Sequence, residues 1–212
     1  MDRDKETCAT WNNIASIYQE KFMGMDLYNA TYDFICGGIG KPEAKILEIG
    51  CGPGNITKYL LSKRPDLDIF GIDIAPNMVE LAKQNNPTAH FATMDCRRIN
   101  ELDTRFDGII GGFCLPYLSP AEGQQLISHA HGLLNAEGLL YLSFVEGEPD
   151  KSGYKVGSGG RVYFNYYKLD DLNAELDAFG FEALQTFKVK YKTPATGVEL
   201  HTILTAKKRS AP

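Results

Sequence analysis

The sequence predicts an α/β fold, with five parallel strands and their helices followed by a helix and an antiparallel hairpin, seven strands in one sheet. Three observations predict it. From Lys45 onward, short apolar runs alternate with amphipathic segments, as in a mostly parallel sheet with helices on both faces, an α-β-α sandwich. The first run ends in a glycine-rich turn that opens a helix. The last third changes to strict apolar/polar alternation around a Pro/Gly turn, which reads as a hairpin. At 212 residues, one domain is expected over 1–212, with 1–44 a helical cap and 45–207 the α/β core.

Each element follows from its residues. Lys45–Ile49 reads as the first strand, and Asn55–Lys63 as a helix with Ile56, Tyr59 and Leu60 at helical spacing. Asp68–Ile72 is a second strand. Pro76 starts a helix whose buried face carries Met78, Leu81 and Ala82. Thr88–Ala92 and Phe106–Gly112 are the third and fourth strands. Ser119, Pro120 and Glu122 form a capping box around a first-turn proline, opening a helix that Gly138 is expected to follow. Leu139–Phe144 is a fifth strand, apolar except for Ser143, as in the middle of a parallel sheet. Residues 146–161 are polar and glycine-rich and read as a long loop, often a functional feature. Leu169, Leu172, Leu176 and Phe179 make a helix face stopped by Gly180. Phe187, Val189 and Tyr191, then Val198, Leu200, Thr202 and Leu204, alternate on either side of the Thr193–Gly197 turn. Ahead of the core, Trp11, Ile14, Ala15, Tyr18 and Phe22 form a helical stripe that packs on the domain or lies over the ligand crevice.

Composition narrows the function classes. The net charge is −5, and the basic clusters Arg97-Arg98 and Lys207-Lys208-Arg209 read as solvated surface or a fraying tail, so no nucleic-acid partner is expected. No apolar run is long enough to cross a bilayer and no secretory signal is visible, so no membrane partner is expected. Five cysteines without a CxxC pair suggest reduced thiols in a cytoplasmic protein and no metal site. His90, His129, His131 and His201 are isolated in sequence and read as structural or exposed.

The most informative segment is Ile46-Leu47-Glu48-Ile49-Gly50-Cys51-Gly52-Pro53-Gly54-Asn55. Glycines after a buried strand allow positive φ and let a ligand approach the backbone. The spacing is G-x-G-x-G, whereas a dinucleotide site uses G-x-G-x-x-G to seat a pyrophosphate. The acid Glu48 would repel a pyrophosphate and favour a cationic ligand. S-adenosylmethionine (SAM), with an ammonium and a sulfonium, is such a ligand. Asp73, closing the second strand, suits ribose hydroxyls in either case.

On these residues the sequence resembles the class I SAM-dependent methyltransferases, the small bacterial type that acts on diffusible substrates and has a Rossmann-like fold. The resemblance covers roughly Trp11 to Lys207. It implies that the backbone at Gly50, Cys51 and Gly52 lies against the methionine part of SAM and that Asp73 binds the ribose. Ile74 and Met78 would pack on the adenine. In Met94-Asp95-Cys96, Asp95 would accept from the adenine amino group and the Cys96 N–H would meet a ring nitrogen. Gly112 and Phe113 would end the strand that lines the methyl-donor pocket, and Tyr18 would cover the cofactor. Asp95 reads alternatively as a turn cap, and Cys51 and Cys96 as space-fillers.

The acceptor side is less determined. A small-molecule acceptor is expected, entering at the carboxyl ends of the strands past Tyr18, Pro116, Tyr117, Glu146, Tyr163, Phe164, Tyr166 and Tyr167. Glu146 reads as a base, a cation anchor or a solvated loop acid. The tyrosine-rich segment either faces the acceptor or packs under the hairpin. Two other functions share this fold. A non-catalytic SAM-binding sensor or subunit would keep the same motif. An NAD-dependent oxidoreductase would use the same crevice but need the other glycine spacing.

Overall fold

The computed structural model describes residues 3–157, 159–193 and 197–210. Three helices come first: α1 (Arg3–Asn13), α2 (Ala15–Phe22) and α3 (Asn29–Gly38). The core then alternates β1 (Lys45–Ile49), α4 (Asn55–Lys63), β2 (Asp68–Asp73), α5 (Pro76–Asn85), β3 (His90–Thr93), β4 (Phe106–Gly111), α6 (Pro120–Leu133) and β5 (Leu134–Val145). A short hairpin, β6 (Gly153–Gly157) and β7 (Gly160–Phe164), precedes α7 (Leu169–Ala178), β8 (Phe181–Thr193) and β9 (Gly197–Lys208).

Seven strands form one sheet in the order β3-β2-β1-β4-β5-β9-β8. The first five are parallel, while β9 runs antiparallel to β5 and to β8. The expected Rossmann-like architecture is therefore present. Period-two alternation divides the core. On one face Ile46, Ile110, Tyr141 and Ile203 meet Tyr32 and Ile35 of α3 and Ile56 and Leu60 of α4. On the other, Leu47, Ile49, Ile109, Leu140 and Leu142 meet Leu126, Ile127 and Ala130 of α6 and Leu172 and Leu176 of α7. Each buried leucine or isoleucine among them, removed from water, contributes about 1.5–3 kcal/mol.

The capping box forms as expected. Ser119 Oγ accepts from the Glu122 N–H at 3.4 Å, and Glu122 Oε2 accepts from the Ser119 N–H at 2.7 Å. Gly180 takes φ +80 just after α7.

Several boundaries differ from the sequence expectation. Strand β5 begins at Leu134, where the Leu134 N–H still bonds Ala130 O, so Gly138 lies inside a strand and is not the helix stop. Residues 146–161, expected as irregular loop, contain β6 and the start of β7, which pair antiparallel. The N-terminal stripe is split between α1 and α2 at Ile14, and α3 is a separate helix that the sequence reading does not contain. Strands β8 and β9 are longer than their alternating runs; Pro194, Ala195 and Thr196 of the turn between them lie outside the described residues.

Candidate active site

The sheet reverses its winding between β1 and β4, and at their carboxyl ends such sheets open a crevice. The glycine turn after β1 forms one wall. Gly50, Gly52 and Gly54 have φ of +68, +52 and +81, left-handed values that side-chain-bearing residues rarely adopt. The turn is tied to the end of β2. The Gly50 and Cys51 N–H groups both donate to Ile72 O, at 2.8 and 3.0 Å. Asp73 Oδ2 accepts from the Gly52 N–H at 2.9 Å, and its Oδ1 accepts from the Ala75 N–H at 2.8 Å. A carboxylate has about four lone-pair positions, so Asp73 keeps acceptor capacity toward the crevice.

The crevice holds a cavity of about 870 Å³, mouth included. Of the expected cofactor residues, Tyr18, Gly50, Gly52, Asp73, Ile74, Met78, Met94, Asp95, Cys96, Gly112 and Phe113 line it, and Cys51 does not. Phe113 has φ +55, a strained backbone for a bulky residue, and its N–H donates to Ser143 Oγ at 2.8 Å. Sequence reasoning missed the inner face of α1, where Asp4, Thr7, Cys8 and Trp11 complete the wall, as well as Arg97, Cys114 and Leu118. Only Trp11 carried a signal, as part of the N-terminal aromatic stripe.

The lining is acidic. Asp4, Asp73 and Asp95 face the one cation Arg97 among its described residues, and Arg97 is itself engaged by Asp4, Asp95 and Glu122. Arg97 is not the solvated surface residue that the sequence suggests; its side chain is only 21% exposed, and it anchors α1 to the cavity rim. Asp95 also caps the 3-10 turn at Cys96–Glu101, accepting from the Arg97 N–H at 2.9 Å, so the capping role and a cavity position coexist. Burial raises the Asp73 carboxyl above its ordinary value, against backbone hydrogen bonds that lower it. It also raises the Tyr18 and Tyr117 hydroxyls and pushes the Cys114 thiol up to about 12, so all three are neutral at physiological pH.

Glu48 does not reach the cavity. It shares the face of β1 that carries Ile46, points toward α4, is fully buried and accepts a hydrogen bond from the Thr57 hydroxyl. Burial pushes its carboxyl up to about 8. The acids that would meet a cationic ligand are therefore Asp4, Asp73 and Asp95.

With this geometry in view, residues 46–138 match the family model described as "Methyltransferase domain". This stretch, from the first strand to the fifth, is thus similar to a methyltransferase domain. A malonyl-[acyl-carrier protein] O-methyltransferase of Acetivibrio thermocellus is 33% identical over 105 residues, 49% of this chain and 36% of that protein. A tRNA N(3)-methylcytidine methyltransferase of Schizosaccharomyces pombe is 29% identical over 79% of this chain and 57% of its own length. The chain thus spans less than two thirds of either relative. Among solved structures, a magnesium protoporphyrin IX methyltransferase from Synechocystis, with bound SAM, superposes with a TM-score of 0.73 at 19% identity, covering 98% of both chains, which shows a common fold.

On the acceptor side, the structure brings together fewer of the expected residues. Tyr117 lines the cavity, in edge contact with Trp11 (5.3 Å between centroids) and Phe164 (6.0 Å). Its 3-10 turn, Leu115–Tyr117, is fixed by Asn165, whose backbone N–H and Nδ2 both donate to Pro116 O, at 2.7 and 3.1 Å. Tyr167 donates to Leu118 O at 2.8 Å and serves packing. Glu146, Tyr163 and Tyr166 do not line the cavity. Glu146 is engaged by Lys188 and Thr202, Tyr163 lies under the Arg3 guanidinium, and Tyr166 lies under the Lys155 ammonium. Among the described residues no group of His, Cys, Asp or Glu could hold a metal, and no helix is long and apolar enough to cross a membrane.

Proposed function

We propose that the chain is a methyltransferase that moves the methyl group of SAM to a small organic acceptor by in-line displacement. The observation that carries this reading is the cavity itself: an acid-lined space against a left-handed glycine turn, with Asp73 and Asp95 both on its wall. Its charge fits a ligand bearing an ammonium and a sulfonium and opposes a pyrophosphate. SAM supplies an electrophilic methyl group on sulfur. The chain's own residues bind and orient: Asp73 accepts from the ribose hydroxyls, Asp95 accepts from the adenine amino group, and Ile74 and Met78 flank the ring. Trp11, Tyr18 and Tyr117 exclude water from the reacting end, and alignment there supplies much of the acceleration.

A small acceptor is favoured by the apolar, half-enclosed lining at Trp11, Phe113 and Tyr117. The protoporphyrin-directed structure of the same fold supports it. The tRNA-directed relative points to RNA instead, and the net charge of −5 together with the acidic wall opposes that reading.

Calorimetric titration with SAM, S-adenosylhomocysteine and NAD tests the proposal. Saturable binding of the first two, weakened about tenfold or more in Asp73→Asn by loss of charge-assisted hydrogen bonds, is expected. A folded protein that ignores both and binds NAD refutes it. Release of S-adenosylhomocysteine with an acceptor panel then separates an enzyme from a SAM-binding subunit.

A further inference from the structure

The glycine turn that faces the cavity has no backbone donor to offer. Gly50 and Cys51 donate to Ile72 O, Gly52 donates to Asp73, and Gly54 donates to Cys51 O, while Pro53 has no N–H. The Phe113 N–H is taken by Ser143, and the Arg97 guanidinium by three carboxylates. What this lining presents in quantity is acceptors. A ligand with an amino-acid end brings a carboxylate as well as an ammonium, and the carboxylate needs donors.

Among the fully buried side-chain polar atoms of this lining, one donor stands open among the described residues. Trp11, on the last turn of α1, lines the cavity, and its Nε1 is buried with no hydrogen-bond partner among the described residues. Its ring is fixed by edge contacts with Tyr18 and Tyr117, at 5.7 and 5.3 Å between centroids. Tyr18 in turn lies over the glycine turn, its ring 3.6 Å from the position a Gly52 side chain would take. An indole N–H held without a partner in a low-dielectric wall is costly and gains most from a charged acceptor.

We propose that the Trp11 indole N–H binds the carboxylate of the methionine part of SAM, an assignment that rests on the SAM reading above. Trp11 then recognises the amino-acid end, complementing the acids that recognise the nucleoside.

Trp11 is the single tryptophan of the sequence, so one indole N–H resonance reports on it without ambiguity. The probes are S-adenosylhomocysteine and 5′-methylthioadenosine, which keeps the nucleoside and sulfur but lacks the amino-acid end. In the full chain, S-adenosylhomocysteine should move the indole proton downfield while 5′-methylthioadenosine does not. Trp11→Phe should weaken S-adenosylhomocysteine about tenfold and leave 5′-methylthioadenosine within about twofold, as expected for one charge-assisted hydrogen bond. Binding of both probes with the indole proton unmoved, or moved equally by each, overturns the assignment even if Trp11→Phe fails to fold. Equal weakening of both probes in a folded Trp11→Phe makes Trp11 a packing residue and also overturns it. A wild-type chain that binds neither probe refutes the SAM reading itself.

Discussion

Replacing Glu48 by glutamine should make the protein more stable at alkaline pH and flatten its pH dependence. Glu48 is fully buried on β1; Thr57 donates to Oε2, and Oε1 is buried without a partner among the described residues. Burial pushes the carboxyl up to about 8 from its ordinary 4.5. Below about pH 4.5 the group is protonated in both folded and unfolded chains. Between there and about pH 8 the unfolded chain releases the proton that the folded chain retains. Stability therefore falls with rising pH, by about 1.4 kcal/mol for each pH unit, and levels off above about 8. The full difference is about 5 kcal/mol. The glutamine amide would mimic the neutral acid and carry no such slope. Urea unfolding of both proteins at about pH 5 and about pH 8 should show the advantage of Glu48→Gln growing by about 4 kcal/mol. Other titrating groups are common to both proteins and cancel in that difference. Two parallel stability curves would refute the reasoning and show that Glu48 is ionised in the folded state.

Gly54→Ala should destabilise by about 2 kcal/mol or more in the same assay, because φ is +81 and the new methyl would sit 3.3 Å from Ala82 Cα and against the Asn86 amide. Ser119→Ala removes the capping box of α6 and should cost about 1 kcal/mol in urea unfolding, with ligand affinity unchanged because Ser119 is not part of the cavity wall.

The middle of the sheet was legible because its strands are buried on both faces and read as nearly continuous apolar runs, broken only by Glu48 in residues 46–49 and by Ser143 in residues 139–144. The hairpin of β6 and β7 was not, since most of its residues are not buried and no alternation marks it. Helix α3 gave no start signal: Tyr28 stands at its N-cap without a side-chain bond, and Gly37 and Gly38 close its end. In the site, Asp73 and Asp95 were legible because a strand end fixes each of them beside the crevice. Glu48 was legible as an acid but misplaced, because strand alternation puts it on the face of Ile46, turned to α4. Asp4, Thr7 and Cys8 were invisible: α1 is polar nearly all round, and a face turned toward a polar cavity leaves no apolar period to read.

The wall supplied by α1 also orders events in time. Thr10 Oγ1 donates to Arg161 O at 2.9 Å across 151 residues, and the Tyr28 hydroxyl lies 2.7 Å from His201 Nδ1 across 173. At ribosomal rates of roughly 5–20 residues per second, α1 leaves the exit tunnel roughly 8–30 s before β7, the strand on which it docks. Helix α1 is thus made well before the strand on which it docks. The nascent chain must carry α1 undocked until β7 emerges, and the ligand chamber closes only after that.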